Sequence, residues 1–463
     1  MSAKQTATKV VIVGAGMAGL SAARRLARSS VQVTLVDAHN YTTFPPMLFY
    51  VATAFLAPED VVRPVRALLP RETAVEFQLG RVEAVDRDAH RVLLDDGRAI
   101  PFDYLVLAPG VVPAYGPVPG AAQHAIPMKT ALDAARLRNS LLRSFEFATS
   151  HPDFVGHGPT SVAVIGGGPA GVEVAGYLAD FLFRYSFPHD YPNLSRDRMR
   201  ISMFELGDRL LPSLHPKLSR YALAHLRRRG VDVRLGAKVA EVDAGGLTLA
   251  GGERVTAATV VWAGGVGAAD WIGHLGVPLE RGRIVVDPDL RVRGYPDTFA
   301  VGDVAAVRSP TGALYPQVAQ VALQSGRHAA RQVDHLMAHE PTTPFRYRDK
   351  GTMAIVGRNA AIVQAGPIRL TGFPAWFAWG GLHLAYLPGL VNRLSAGQKF
   401  LLWHITHDTN ARVLLEREPQ PQAALKGEAV SFTTEGPLTV SASETRRTKA
   451  DVSVAVRSSS RAE

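Results

Sequence analysis

The feature that most constrains this 463-residue chain is a glycine-rich turn directly after its first apolar run. Residues 10–13 are apolar and lead into Gly14, Gly16 and Gly19 within KVVIVGAGMAGLSAARRL, which has the spacing GxGxxG. In this motif the first glycine permits a tight turn, the second lets backbone approach a pyrophosphate, and the third lets the next helix pack on the strand. The pattern predicts a β-α-β unit whose helix N-terminus binds phosphate.

An acidic residue follows at the spacing that such a unit requires. The next predicted strand, VQVTLVD, ends at Asp37, where a carboxylate can accept hydrogen bonds from a ribose. A glycine turn alone is common in proteins. Strand, glycines, helix, strand and acid in this order therefore specify a dinucleotide site much more narrowly than the glycines do.

The same pattern occurs a second time. SVAVIGGGPAGVEVAGYLAD places Gly166, Gly168 and Gly171 after another apolar strand, and RISMFELGDRLLP carries Glu205. A carboxylate at Glu205 would bind a ribose 2′-hydroxyl and repel a 2′-phosphate, which favours NADH over NADPH. Arg209 lies close to Glu205 in the sequence, so binding of NADPH also stays possible.

A third element, YPDTFAVGDVA, places Gly302 and Asp303 after an apolar strand. In two-dinucleotide flavoproteins such a pair closes over FAD. One half of the FAD unit thus precedes the second unit and the other half follows it. The predicted fold is α/β, with two Rossmann-like domains, the NAD(H) domain inserted in the FAD domain, and a C-terminal membrane-facing helical region. The predicted boundaries are 1–118 and 291–372 for FAD, 119–290 for NAD(H), 373–417 for the C-terminal region and 418–463 for a disordered tail.

Composition narrows the chemistry. The chain has no cysteine, so disulfides and thiolate metal sites are excluded, and no metal site is predicted. Transfer of electrons to a cysteine pair is excluded too, so electrons must leave the flavin directly to an acceptor. The net charge of +10 suits an anionic cofactor or lipid, or an ordinary solvated surface. The sequence has no concentrated stripe of basic residues, so nucleic-acid binding is not predicted.

Longer segments resemble type II NADH dehydrogenases, single-subunit flavoproteins that reduce quinone. The resemblance runs from residue 9 to residue 410. Its specific segments are NYTTFPPMLFYVATAFL (40–56), LAPG (107–110, with Gly110), VVWAGGV (260–266, with Gly265), PQVAQVALQSG (316–326), YRDKGTMAIVGR (347–358) and AWFAWGGLHLAYLPGLVNR (375–393). The more usual form of LAPG is LATG, so Pro109 replaces a hydroxyl residue.

The resemblance implies FAD and NADH as cofactors, with NADH oxidation, electron transfer to a membrane quinone and no proton pumping. It implies that Glu173 contacts the nicotinamide and takes part in proton movement, and that Ala319 lies at the FAD. Gln320 and Gln324 are four residues apart and share a helical face, where their amides can bind a quinone carbonyl, the flavin or backbone. Lys350 is placed either at the acceptor entry or in solvent.

Two other functions stay open from the sequence. One is a soluble NAD(P)H oxidoreductase that uses oxygen, a dye or a protein redox partner. The other is a redox-sensing protein that binds FAD and NAD(H) with little turnover. Residues 372–390 approach the length of a membrane span but contain His383, paired glycines and Pro388. A peripheral anchor on the cytoplasmic face of the cell membrane is therefore favoured over a spanning helix, with burial against the FAD domain or in a homodimer as the alternative. No signal peptide is expected.

Overall fold

Two parallel β-sheets form the centre of the molecule. The computed structural model describes residues 7–69, 75–151, 160–183, 190–192, 194, 199–406 and 411–414. The predicted tail at 418–463 lies outside these residues. Each sheet has five strands, with the strand that precedes its glycine-rich turn at the centre. This confirms the prediction of two Rossmann-like units.

The first sheet is built mainly from the N-terminal part of the chain. Its strands, in spatial order, are Thr298–Ala300, Tyr104–Leu107, Thr8–Val13, Val31–Asp37 and Val75–Leu79. All adjacent strands are parallel. The edge strand Thr298–Ala300 comes after the whole second unit, so the chain returns to complete the sheet that it started.

The second sheet repeats this arrangement. Its strands, in spatial order, are Ala125–Pro127, Thr259–Trp262, Ser161–Ile165, Arg200–Glu205 and Val231–Leu235. They are also all parallel. Helices Ala131–Ser150, Pro169–Phe183 and Pro216–Arg228 belong to this unit. The insertion that the sequence predicted is therefore present.

A short ribbon joins the two units. Val112–Pro113 pairs antiparallel with Val266–Gly267, so the chain enters and leaves the second unit side by side. Beyond the ribbon, Ile272 and Ile284 pack into the core of the first sheet. We therefore propose the return to the FAD unit near Gly267, earlier in the chain than residue 290.

The C-terminal layer consists of a three-stranded antiparallel sheet and two helices. The strands are Thr352–Gly357, Ala360–Ala365 and Ile368–Thr371, and the helices are Gly372–Tyr386 and Leu390–Thr406. Strand Thr352–Gly357 packs against helix Pro169–Phe183 of the second unit. A Cβ at Gly176 would lie only 2.5 Å from the carbonyl oxygen of Val356, so this contact requires glycine. The layer thus joins the NAD(H) unit to the FAD unit.

The remaining helices and strands complete the described chain. The helices are Met17–Leu26, Leu48–Ala52, Pro58–Val61, Ala121–His124, Asp270–Gly273 and Ala319–Met337, with 3-10 turns at Pro45–Met47, Val65–Ala67 and Gly302–Val304. The remaining strands are Tyr41–Thr43, Val62–Pro64, Val82–Asp86, Arg91–Leu94, Ala99–Pro101, Val239–Asp243, Gly246–Leu249, Arg254–Thr256, Leu279–Glu280, Arg283–Val285 and Ala305–Ala306.

Candidate functional site

The two glycine-rich turns have the same geometry. Gly14 has φ of +101° and Gly166 has φ of +108°, a region that favours glycine. A Cβ on Gly19 would overlap the carbonyl oxygen of Gly14, so the helix and the turn touch through backbone. By contrast, a Cβ on Gly16 would meet no protein atom within 4 Å. The space before the second glycine is therefore open, as a pyrophosphate requires.

The same relations hold in the second turn. A Cβ on Gly171 would overlap the carbonyl oxygen of Gly166, whereas one on Gly168 would meet nothing within 4 Å. A neighbouring loop also lies against each first glycine, with Ala108 and Pro109 beside Gly14. The equivalent loop of the second unit passes through Gly265, whose carbonyl accepts from Ala114 N–H at 3.1 Å. Gly110 lies just beyond Pro109 in the first loop.

The two predicted ribose acids occupy equivalent positions. Asp37 Oδ2 accepts from the backbone N–H of Ala15 at 2.6 Å, inside the first turn. Glu205 Oε2 accepts from the N–H of Gly167 at 2.5 Å, inside the second. Carboxylate oxygens have further lone pairs, so each acid can still accept from a ribose hydroxyl. The structure thus brings Glu205 to the place of Asp37 in spite of the longer connection before it. The ribose role itself stays a prediction.

The second half of the FAD unit lies across the turn from the first. Gly302 donates its N–H to Ser325 Oγ at 3.0 Å, and Asp303 Oδ2 lies 3.7 Å from Lys129 Nζ. Helix Ala319–Met337 packs directly on helix Met17–Leu26, since a Cβ at Gly326 would overlap the carbonyl oxygen of Ala18. Ala319 is the first residue of that helix. The open turn and the Gly-Asp pair fit FAD between them.

The two predicted acceptor glutamines bind backbone. Gln320 Nε2 donates to Gly351 O at 2.8 Å, and Gln320 Oε1 accepts from Lys350 N–H at 3.2 Å. Gln324 makes the same pair of bonds to Arg348, at 3.0 Å each. The helix therefore holds residues 348–351 as a neighbouring strand would. Each amide retains one N–H for another partner. The Lys350 side chain is exposed.

Glu173 lies where helix Pro169–Phe183 meets the C-terminal sheet. Its Oε1 accepts from the backbone N–H of Ile355 at 3.3 Å. Burial raises the pKa of Glu173 from 4.5 to about 8, because the charged form loses its hydration and the single hydrogen bond compensates only in part. The carboxyl group therefore carries a proton at neutral pH. A proton donor in this place suits a reaction that consumes a proton.

A large cavity lies beside Glu173 and the helix that carries the two glutamines. It has a volume of about 1630 Å³, and Glu173, Gln320 and Lys350 are among the residues that line it. Leu382 and Tyr386 of helix Gly372–Tyr386 line it as well, and both also have exposed surface. The cavity therefore extends from the proton donor and the glutamine helix to the exposed face of the C-terminal helices.

Several polar groups near the site were not found from the sequence. Tyr177 lies one helical turn after Glu173, and its hydroxyl is 3.1 Å from that of Tyr50. One turn further, Asp180 forms a buried ion pair with Arg229 and accepts from the N–H of Arg358 at 2.5 Å. The i, i+4, i+7 spacing of residues 173, 177 and 180 placed them on one face of the helix and was the available signal. The partners of these residues are distant in sequence, so the sequence contains no signal for them.

The C-terminal helices turn polar residues inward. Asn392 Nδ2 donates to the carbonyls of Glu59, Asp60 and Val62 at 3.0, 3.0 and 2.8 Å. Lys399 Nζ lies 2.6 Å from the buried carboxylate of Asp60. Apolar side chains of the same two helices are exposed instead: Phe373, Phe377, Leu382, Tyr386, Leu390, Val391, Leu394, Leu401, Leu402 and Ile405.

The structure was also searched for a membrane-spanning helix and for a metal site. Among residues 7–69, 75–151, 160–183, 190–192, 194, 199–406 and 411–414, no helix is long and apolar enough to cross a membrane. Within the same residues, no group of three or more metal-binding side chains is gathered for an ion.

Comparison with known proteins agrees with this geometry. Residues 8–326 match the pyridine nucleotide-disulphide oxidoreductase family. A type II NADH:quinone oxidoreductase of Mycobacterium tuberculosis, NdhA, is 36% identical over 423 residues, which are 87% of this chain and 88% of that protein. Its counterpart Ndh from the same organism is 34% identical over 86% of this chain and 88% of its own length. A Staphylococcus aureus type II NADH:quinone oxidoreductase is 28% identical over 83% of this chain and 99% of its own.

A solved structure supports the fold. NDH2 from Plasmodium falciparum, in complex with NADH, superposes with a TM-score of 0.80 at 19% identity, covering 88% of this chain and all of that one. The chain therefore belongs to the pyridine nucleotide-disulphide oxidoreductases, the class that its two nucleotide units define. Within that class it is a member of the type II NADH:quinone oxidoreductase family. The family resemblance found from the sequence is confirmed.

Proposed function

We propose that the protein oxidises NADH and reduces a membrane quinone to the quinol, with the balance NADH + H⁺ + quinone → NAD⁺ + quinol. The family names support both substrates. The observation that carries the proposal is the cavity, because it joins Glu173 and Gln320 to the exposed apolar surface at Leu382. Bound FAD supplies the carrier for the two electrons.

The chain's own residues have separable tasks in this proposal. The turn at Gly166, Gly168 and Gly171 holds the NADH pyrophosphate, and Glu205 holds its adenosine ribose. The turn at Gly14, Gly16 and Gly19, Asp37 and the Gly302–Asp303 pair hold FAD. Gln320 and Gln324 fix the segment at 348–351 that forms one wall of the acceptor cavity. Glu173 holds the proton that the quinone takes up.

We further propose that the protein attaches peripherally to the cytoplasmic face of the cell membrane. The support is the exposed apolar side of the two C-terminal helices together with the mouth of the cavity on the same helices. A quinone confined to the bilayer would then enter without crossing water. The alternative is that a second copy of this chain binds the exposed apolar side of the two C-terminal helices. The tests distinguish such a homodimer from attachment to a membrane. Absence of proton pumping stays a prediction from the family.

Anaerobic stopped-flow absorbance of the flavin-loaded protein tests the reaction. Mixing with NADH should bleach the flavin rapidly, and a second mixing with a short-chain quinone should restore its colour rapidly. Bleaching without reoxidation by quinone would favour a soluble oxidoreductase with another acceptor. Negligible turnover with quinone, oxygen and dyes would favour a redox-sensing protein.

A further inference from the structure

We propose that His383 is a quinol-binding residue of the acceptor cavity. Its Nε2 accepts a hydrogen bond from a hydroxyl of the reduced quinone and offers none to a carbonyl of the oxidised quinone. The residue lines the cavity on the same helix as Leu382 and Tyr386. The inference rests on the proposed reduction of quinone.

The hydrogen bond of the other ring nitrogen determines this role. His383 Nδ1 lies 2.8 Å from the backbone carbonyl oxygen of Trp379. A carbonyl oxygen only accepts, so Nδ1 must carry the hydrogen. In a neutral imidazole the hydrogen on Nδ1 leaves Nε2 with a bare lone pair. Nε2 is then an acceptor only.

The surroundings of the ring keep it neutral and fixed. The imidazole stacks on the Trp379 indole, with ring centroids 3.9 Å apart and ring planes inclined by 15°. The Phe44 ring packs edge-on against the imidazole, with ring centroids 6.2 Å apart. Burial among these groups lowers the pKa of His383 to about 4, since the charged ring would lose its hydration. The ring therefore neither carries a charge nor donates through Nε2 at neutral pH.

The cavity thus contains two complementary groups. Glu173 carries a proton at neutral pH and can donate, whereas His383 can only accept. A quinone has carbonyl oxygens that only accept, so Nε2 faces it with repulsion between lone pairs. A quinol has hydroxyl groups that donate, so Nε2 binds it. Replacement of one form by the other during the reaction therefore strengthens this contact, and His383 favours the reduced product.

His383→Phe tests the assignment, because phenylalanine keeps the stacking on Trp379 and removes Nε2. The measurements are the inhibition constant of a short-chain quinol and the KM of its quinone, both in steady state under anaerobic conditions. We expect the quinol inhibition constant to rise about three- to tenfold, as for loss of one neutral hydrogen bond, with the quinone KM unchanged or lower. His383→Gln returns an acceptor and should recover part of the quinol binding.

His404→Phe is the matched control. His404 Nδ1 also lies near the carbonyl four residues earlier, at 2.9 Å from Phe400 O, but the residue does not line the cavity. This variant should leave both constants unchanged, and FAD content and bleaching by NADH should stay normal in all three variants. Equal changes in the quinol and quinone constants of His383→Phe, or no change in either, would overturn the assignment. Failure of the unmodified protein to reduce quinone would instead overturn the proposed function.

Discussion

We propose that Glu205 sets both the shape and the specificity of the second nucleotide site. Its two oxygens accept from the backbone of Gly167 and Gly207, at 2.5 and 2.6 Å, so the acid also fixes the turn that faces the pyrophosphate. A negative charge at this place repels a 2′-phosphate. From the sequence, Arg209 could bind the 2′-phosphate of NADPH. In the structure its guanidinium donates to the carbonyl of Pro212 at 2.5 Å.

Replacing Glu205 by alanine should weaken NADH binding and reduce discrimination against NADPH. We expect the KM for NADH to rise about tenfold and the preference for NADH over NADPH to fall by at least about tenfold. Glu205→Gln should keep more NADH affinity but lose discrimination, because it keeps the side-chain length without the charge. Steady-state kinetics with both nucleotides measures this. An unchanged preference in both variants would show that Glu205 is not the ribose acid.

Glu173 should give quinone reduction a characteristic pH dependence. With its pKa raised to about 8, the carboxyl group is protonated below that pH and loses its proton above it. The rate of flavin reoxidation by quinone should therefore fall as pH rises through about 8 in the natural protein. In Glu173→Gln it should be lower by about tenfold or more at pH 7 and independent of pH. Stopped-flow reoxidation from pH 6 to 10 measures both, and a parallel fall in the variant would assign the pH dependence to another group.

The same shift has a consequence for stability. In the unfolded chain Glu173 ionises near 4.5, whereas in the folded protein it ionises near 8. The folded state therefore binds one more proton between these values, and its stability falls as pH rises through them. Glu173→Gln should melt at the same temperature as the natural protein near pH 4.5 and at a higher temperature at pH 8.5. Thermal unfolding at the two pH values tests this, and a constant difference would contradict the raised pKa.

The sequence was most informative for residues with local roles. Gly14, Asp37 and Gly166 lie in turns and strands that neighbouring residues define, so spacing predicted their positions. Glu205 follows a longer connection, and its place at the end of the next strand predicted it instead. In the sequence, His383 is only a polar interruption of an apolar segment. Its role depends on Trp379 one turn earlier and on a cavity wall assembled from segments hundreds of residues apart. Spacing contains no record of such a cavity.

At the scale of elements, helix Ala319–Met337 holds the irregular segment 348–351 through Gln320 and Gln324. Gln320→Leu leaves the N–H of Lys350 and the carbonyl of Gly351 without these partners. We expect it to slow flavin reoxidation by quinone at least about tenfold while bleaching by NADH stays within about twofold. Gln324→Leu, one turn further from the start of the helix, should have a smaller effect. Rapid mixing separates the half-reactions, and equal loss of both would indicate a role in folding or FAD binding.

Helix Leu390–Thr406 depends on one buried amide. Asn392→Ala removes the donors to three carbonyl oxygens in and beside helix Pro58–Val61, and should destabilise the protein by about 2–3 kcal/mol. Ser395→Ala removes a single bond to Asp60, which keeps Lys399, and should cost about 1 kcal/mol or less. Hydrogen exchange should show residues 390–406 opening faster in the first variant. Equal exchange in both would assign the anchoring to packing.

The order of polar and apolar residues in this helix also explains an ambiguity of the sequence. In the sequence, Ser395 and Lys399 of SAGQK interrupt the apolar C-terminal segment with polar side chains. In the structure both side chains bond to Asp60, whereas Leu394, Leu401 and Leu402 of the same helix are exposed. The sequence pattern predicts a polar and an apolar face of the helix. Only the position of Asp60 shows that the polar face is the one packed against the protein.

At the scale of the whole molecule, the acceptor cavity is built from the FAD unit, the inserted NAD(H) unit and the C-terminal layer. Glu173 comes from the inserted NAD(H) unit, Gln320 from the FAD unit and His383 from the C-terminal layer. The inserted unit meets the C-terminal layer through helix Pro169–Phe183. Access to the acceptor site therefore depends on what binds the exposed apolar side of the C-terminal helices. That surface exists only when all three parts of the chain are folded together.

Leu394→Glu combined with Leu401→Glu tests attachment to a lipid surface. These side chains are 64% and 63% exposed and lie outside the cavity lining. Burying a leucine contributes about 1.5–3 kcal/mol, so the double change should reduce partition into phospholipid vesicles by about 100-fold or more. Turnover with a water-soluble quinone should persist, whereas turnover with a long-chain quinone in the vesicles should fall. Leu132→Glu, at a side chain 50% exposed on another surface, should change neither. Unchanged vesicle binding together with conversion of a dimer to a monomer, measured by light scattering, would instead assign this side to a second copy of the chain.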